Sequence, residues 1–427
     1  MNILIKGAEV LLPDMSVKPQ DIMVQDDKIT ALGDLQENFI PDKIINAREM
    51  LAIPGLVNAH THASMTLLRS YADDMALEDW LSQKIWPIED AMREDDLYWG
   101  AALAAVEMIK SGTTAFADMY GPYMREVAKV VAESGLRGVL ARGIVAVAPG
   151  CMEKLADSVS IYKEYHGAAE GRITVMLSPH SLYTCPPDFI EKLAAEAGKI
   201  GAEVHIHMAE TITETENCLK EYGKRPFPHV EATGLFAQGT LAAHCVHLDD
   251  EDFRIIKKYN IRVAHCPGSN MKLGSGVAPV PRMLKENICV GLGTDGASSN
   301  NNLDMLEEVR LVALLHKVHD LDPLAVSAAE AIKMGTQGGA EAVGLQDVGK
   351  IAVGYKADIV LISRKNAPWH PRHNPLSQLV YSGSSNDVDT VLVNGQILME
   401  GRRLTTLDEE KIYFEAERCV ERLLRHS

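Results

Sequence analysis

Short apolar runs, several of them rich in β-branched residues, recur along the middle of the chain. They are GLVNAHTH (55–62), GTTAFADM (112–119), LRGVLARGI (136–144), RITVMLSPH (172–180), EVHIHMAE (203–210), TLAAHCVHL (240–248), IRVAHCPGS (261–269) and CVGLGTDG (289–296). Most are separated by segments with apolar residues at helical spacing, such as YWGAALAAVEMIKS (98–111) and PDFIEKLAAEAGKI (187–200). Strands alternating with helices imply parallel β/α units. Eight such strands suit a closed (β/α)8 TIM-like barrel, and the count alone leaves an open doubly wound sheet in play. The segment 320–344 predicts further helices after the last strand.

The flanks carry a different period. Residues 1–53 alternate apolar and polar positions (ILIKGAEVLL, DIMVQDDKITALG), and so do residues 355–401 (YKADIVLI, DTVLVNGQILMEG). Asn394-Gly395 is a hairpin signal. Neither flank is long enough for a good all-β domain. The expectation is one small β-sandwich built from both chain ends, 1–55 and 352–427 with a C-terminal helix, beside a catalytic barrel over 56–351.

Polar residues in the central runs gather at the C-terminal ends: His60 and His62, Asp118, Arg142, His180, His207 with Glu210, His244, and Asp295. In a barrel those ends converge on one face, where active sites sit. Any one of them reads more simply as a satisfied core or loop group. The whole set does not.

Composition narrows the function. The 427 residues carry 46% hydrophobic and 24% charged side chains, as a globular protein does. No apolar run reaches the ~18 residues of a membrane span, and MNILIKGAEVLLPD reads as a first strand rather than a signal peptide. The net charge of −17 disfavours a nucleic-acid partner. Seven cysteines, at 151, 185, 218, 245, 266, 289 and 419, are scattered singly without a C-x-x-C. That fits reduced thiols in a cytoplasmic protein and argues against a thiolate zinc site.

His60 and His62 lie two apart on one strand, so both imidazoles face the same side. Imidazole nitrogens bind zinc and similar divalent ions, and a catalytic ion needs further ligands and an open position. His207 and Asp295 are candidates, because strand eight of a closed barrel neighbours strand one. His205 lies deeper and reads as core, as does His247. Glu210 is placed to protonate a substrate, with a helix-start acid as its simpler reading. His244 could hold or deprotonate water, and Asp295 could take up its proton. Asp118 reads as structural.

PGLVNAHTH, HMAE (207–210), AAHCVH (242–247), HCPGSNMKLGSG (265–276) and LGTDGASSNN (292–301), in this order, resemble the aminohydrolase branch of the amidohydrolase superfamily. The stretch HASMTLLRSYADDMALEDWLSQKIWPIED (62–90) is similar to the 5-methylthioadenosine/S-adenosylhomocysteine deaminases. The resemblance implies one divalent metal, zinc, on His60, His62, His207 and Asp295. It implies that Glu210 protonates the purine, that His244 assists the water, and that Glu89 holds ribose hydroxyls. His180 would contact the nucleoside, Trp80 would line the pocket, and Arg142 and Ser299 would add substrate contacts beside Glu210 and Asp295. The implied reaction is hydrolytic deamination of 5′-methylthioadenosine, S-adenosylhomocysteine or adenosine to the inosine derivative and ammonia. The nearest rivals are aminohydrolases of a free base or a triazine. The partner expected is a small nucleoside, with no membrane and with homo-oligomerisation open. One departure concerns the amino-acid tail of S-adenosylhomocysteine. A second arginine can occur in the loop after strand three, and here the position nearest to it is Lys154, which lacks the bidentate fork.

Overall fold

The computed structural model describes residues 1–34 and 39–425. Each of the eight central runs forms a strand: β1 (Leu56–Thr61), β2 (Thr113–Tyr120), β3 (Arg137–Ile144), β4 (Ile173–Pro179), β5 (Val204–Met208), β6 (Thr240–His244), β7 (Arg262–His265) and β8 (Val290–Leu292). They pair in parallel and in sequence order. The ring closes where the chain leaves β8 and meets β1. Asp295 N–H donates to the His60 carbonyl at 2.9 Å. The Asn58 amide donates to Thr294 Oγ1 at 2.7 Å and accepts the Thr294 N–H at 3.1 Å. Gly293 makes this approach possible, since a Cβ there would lie 2.8 Å from the His60 backbone N and O.

Alternation along the strands sorts two cores. Leu140, Val175, Leu177, Ile206 and Val263 face the surrounding helices. Val139, Ala141, Met176, Leu241 and Ala264, from four strands, meet in one small cluster with Val57, Ala115 and Ala117. Residues from so many strands can meet only inside the barrel. Ala340, Ala342 and Val343, from the predicted helical segment after β8, complete that cluster. The segment comes in without a side chain at Gly338, where a Cβ would stand 2.5 Å from the Val290 carbonyl.

The two flanks combine, as their period predicted. Strands Asn2–Leu11, Val17–Gln25, Lys28–Gly33, Lys43–Asn46 and Met50–Pro54 join Ile359–Ser363, Val388–Val393, Gln396–Glu400 and Arg403–Leu404 in one nine-stranded mixed sheet. The seam between the ends is the antiparallel pair Met50–Pro54 with Ile359–Ser363. The predicted hairpin turn has both central residues left-handed, Asn394 at φ 54° and Gly395 at φ 72°. Arg137 on β3 ties the barrel to this sheet. Its Nε and Nη2 donate to Asp358 at 2.5 and 2.9 Å, and Nη2 also donates to Asn394 Oδ1 at 2.9 Å. The C-terminal helix Glu409–Leu424 packs on the helix Glu94–Ser111.

All seven cysteines are free thiols. Among the described residues, no helix is long and apolar enough to cross a membrane.

Candidate metal centre and active site

The strand ends bring five imidazoles together. The His60 ring lies within 4.8–5.4 Å of the rings of His62, His205, His207 and His244. Three of these residues offer ligand atoms to one point, His60, His62 and His207, and so do His60, His244 and Asp295. Asp295 Oδ1 is 3.1 Å from His62 Nε2 and 3.6 Å from His60 Nε2.

Each imidazole is oriented from behind. His60 Nδ1 meets His205 Nε2 at 3.0 Å. His62 Nδ1 donates to the Met119 carbonyl, and His207 Nδ1 to the His180 carbonyl at 2.7 Å. His244 Nδ1 donates to Asn270 Oδ1 at 2.9 Å. The Nε2 atoms are therefore left for the centre, and His60 Nε2 is buried without a hydrogen-bond partner. Asp295 is held by Ser269 Oγ on Oδ2 at 2.6 Å and by the Gly296 N–H on Oδ1 at 2.8 Å. Oriented imidazoles, one carboxylate and an orphaned buried nitrogen fit a divalent ion.

Electrostatics agree with that fit. Burial pushes His60 down to about 4. Burial also opposes a charge on His62, yet Asp295 and the Met119 carbonyl outweigh it and raise the group to about 9. Burial would raise Asp295, but His60 and His62 hold it well below the usual carboxylate range. Burial thus keeps the His60 imidazole neutral, the form that binds a metal, and the imidazoles keep Asp295 an anion.

Glu210 sits just past β5, where the chain turns through Ala209 at φ 49°. Its carboxyl is 3.8 Å from His244 Nε2, and burial raises its pKa. Glu214 holds the turn, accepting the N–H groups of Ala209 at 3.2 Å and Glu210 at 2.8 Å. His244, Cys245 and Asp295 are left-handed too, at φ 72°, 50° and 61°. Such non-glycine strain collects where structure is over-determined around function.

The other predicted residues are each held by partners of their own. Glu89, at the end of the short helix Trp86–Glu89, accepts the Tyr120 hydroxyl at 2.6 Å. Part of Glu89 stays open to solvent, but the protein crowding its carboxyl pushes it up to about 7. Trp80 is buried and donates from Nε1 to the Ala72 carbonyl at 3.0 Å. His180 Nδ1 pairs with Ser181 and Thr184 hydroxyls at 3.1 and 3.0 Å. Ser299 Oγ donates to the Gly296 carbonyl at 3.1 Å. Arg142 forms an ion pair with Asp157 on the helix Cys151–Tyr165. Lys154, on the same helix, reaches the Val145 carbonyl at 3.4 Å. His205 is buried as expected, and it also backs His60. His247 Nε2 donates to the Ser275 carbonyl at 2.7 Å. Sequence reasoning missed Tyr120, Asn270, Ser269 and Glu214. Ser269 and Asn270 lie inside a quoted motif, and Thr211-x-x-Glu214 has the spacing of a capping box that could have marked the helix start, although Glu214 accepts from Ala209 and Glu210 instead of Thr211.

Residues 51–398 match the Amidohydrolase family. The chain is 49% identical over 429 residues to a 5-methylthioadenosine/S-adenosylhomocysteine deaminase of Pelotomaculum thermopropionicum, covering 99% of both. It is 48% identical to the protein of that name from Dictyoglomus thermophilum, covering 100% of both. A solved adenosine deaminase from Xanthomonas campestris with bound zinc matches with a TM-score of 0.95 at 31% identity, over 99% of each chain. An atrazine chlorohydrolase from Arthrobacter aurescens complexed with zinc matches at 0.92 and 25% identity, over 98% of this chain and 100% of that one. Sequence, barrel and site thus agree: the chain belongs to the amidohydrolase family, among the 5-methylthioadenosine/S-adenosylhomocysteine deaminases.

Proposed function

We propose that the protein hydrolytically deaminates adenine nucleosides, with 5′-methylthioadenosine as the best substrate, S-adenosylhomocysteine next and adenosine a further candidate. The observation that carries this reading is the placement of the buried Glu210 carboxyl 3.8 Å from His244 and beside an imidazole cluster, in a chain 49% identical to a deaminase of that name.

His60, His62, His207 and Asp295 would hold one divalent ion. A nitrogen-rich set with one carboxylate suits zinc, and solved neighbours are described with it. When bound, the ion supplies Lewis acidity that makes water nucleophilic near neutral pH. Glu210 gives its proton to N1 of the purine as water adds to C6. His244 orients that water, because Asn270 fixes its Nδ1 proton and leaves Nε2 as the acceptor. Asp295 takes the water proton and delivers it to the leaving amine. Ammonia departs, N1 keeps its proton, and the proton left on the C6 hydroxyl restores Glu210.

Glu89 accepts the ribose hydroxyls, while Trp80, His180 and Ser299 shape the nucleoside pocket. Arg142 is paired with Asp157, which also binds Arg125, so the carboxylate of a zwitterionic amino-acid tail must displace an existing ion pair to reach it. That favours the uncharged methylthio substituent. The test is ammonia release and purine absorbance from zinc-loaded protein given 5′-methylthioadenosine, S-adenosylhomocysteine, adenosine and guanine separately. The first should turn over best and guanine not at all. Turnover of guanine alone would move the assignment to the free-base aminohydrolases.

A further inference from the structure

The end of β2 holds three parts of the pocket at once. Asp118 accepts the Ala63 N–H at 2.7 Å and fixes the chain just past His62. The next residue, Met119, offers its carbonyl to His62. The one after, Tyr120, donates its hydroxyl to Glu89 Oε1 at 2.6 Å, and its ring stands 6.1 Å from that of His62. Tyr120 is only 7% exposed. The other neighbour of its hydroxyl is the Met92 sulfur at 3.8 Å, a weak acceptor. Glu89 comes from a four-residue helix in a different part of the chain. Among the described residues, no other hydrogen bond or ion pair holds the Glu89 carboxylate. A carboxylate has about four lone-pair positions, so a single donor on Oε1 leaves Oε2 for a ligand.

We propose that Tyr120 is a positioning residue for ribose recognition, aligning the Glu89 carboxylate so that its second oxygen accepts the vicinal hydroxyls of the nucleoside. Through Met119 and Asp118 the same strand end keeps that carboxylate in register with the His62 side of the site. The inference rests on the nucleoside reading above.

The test compares 5′-methylthioadenosine with its 2′,3′-dideoxy analogue on the zinc-loaded full chain. Tyr120→Phe keeps the ring and removes only the hydroxyl. It should raise KM for the riboside roughly tenfold, the scale of one hydrogen bond to a charged group. Kinetics on the dideoxy analogue should not change. In a Glu89→Ala background, where the phenol has no side-chain oxygen to donate to, the same substitution should add no further loss, because the phenol acts through that carboxylate. Tyr98→Phe is the control, since it removes a similar phenol–carboxylate bond, to Glu133 at 2.6 Å, at the surface. Equal losses on both substrates, an unchanged riboside preference, or full additivity with Glu89→Ala would overturn the assignment. A wild type that shows no riboside preference would bring down the nucleoside reading first, and the role of Tyr120 with it.

Discussion

His60, His62, His207 and His244 each give one ring nitrogen to a protein partner and turn the other towards a common centre. All four and Asp295 were legible from the sequence, because period-two spacing and strand ends place them. Their supports were not. His205 reads as an ordinary core histidine until β1 and β5 face each other across the barrel. Asn270 and Ser269 act on His244 and Asp295 from the short helix Pro267–Lys272 that follows the neighbouring strand β7, a relation that no local spacing encodes. Glu210→Gln should lower turnover by about 10²–10⁴-fold while atomic absorption finds the metal still bound. Asn270→Ala should lower kcat more than it raises KM, because His244 loses the acceptor that fixes its tautomer. Asn270→Asp, which restores an acceptor, should recover most of the rate.

The strands leave the sheet abruptly, through left-handed Ala209, His244, Cys245 and Asp295. Those turns aim the side chains, and apolar patterning locates the strands without revealing how they end. Arg142 shows the same limit. Ala141 faces the barrel interior while Leu140 and Ile144 face the helices. Arg142 shares the outward phase and meets Asp157 on the helix that covers it. The helix Met305–Asp320 adds a buried acid, Glu308, which accepts the Gly268 N–H at 3.0 Å and the Asn300 amide at 2.8 Å. Burial pushes its carboxyl up to about 8 from an ordinary 4.5. Between those values the unfolded chain has released a proton that the folded chain keeps, so stability falls as pH rises through the window. Glu308→Gln should flatten that decline, as urea midpoints measured from pH 5 to 8 would show. An unchanged slope would mean that other groups carry it.

At the scale of the molecule, the flanks announced their union through their alternating pattern, but the tie between sheet and barrel did not show. Arg137 and Asp358, 3% and 2% exposed, form that tie. Arg137→Met strands a buried carboxylate and should cost about 3–5 kcal/mol by denaturant titration. Adding Asp358→Leu should recover much of the loss, since a matched apolar pair can replace a buried ion pair. The seam of Met50–Pro54 against Ile359–Ser363 also sets a clock on synthesis. A ribosome adding roughly 5–20 residues per second needs tens of seconds between making the two strands. For that time the growing chain carries an open strand edge, the kind of surface that recruits other chains. Polypeptides released early, with every barrel strand present but the last partner missing, should therefore aggregate rather than accumulate as a working half.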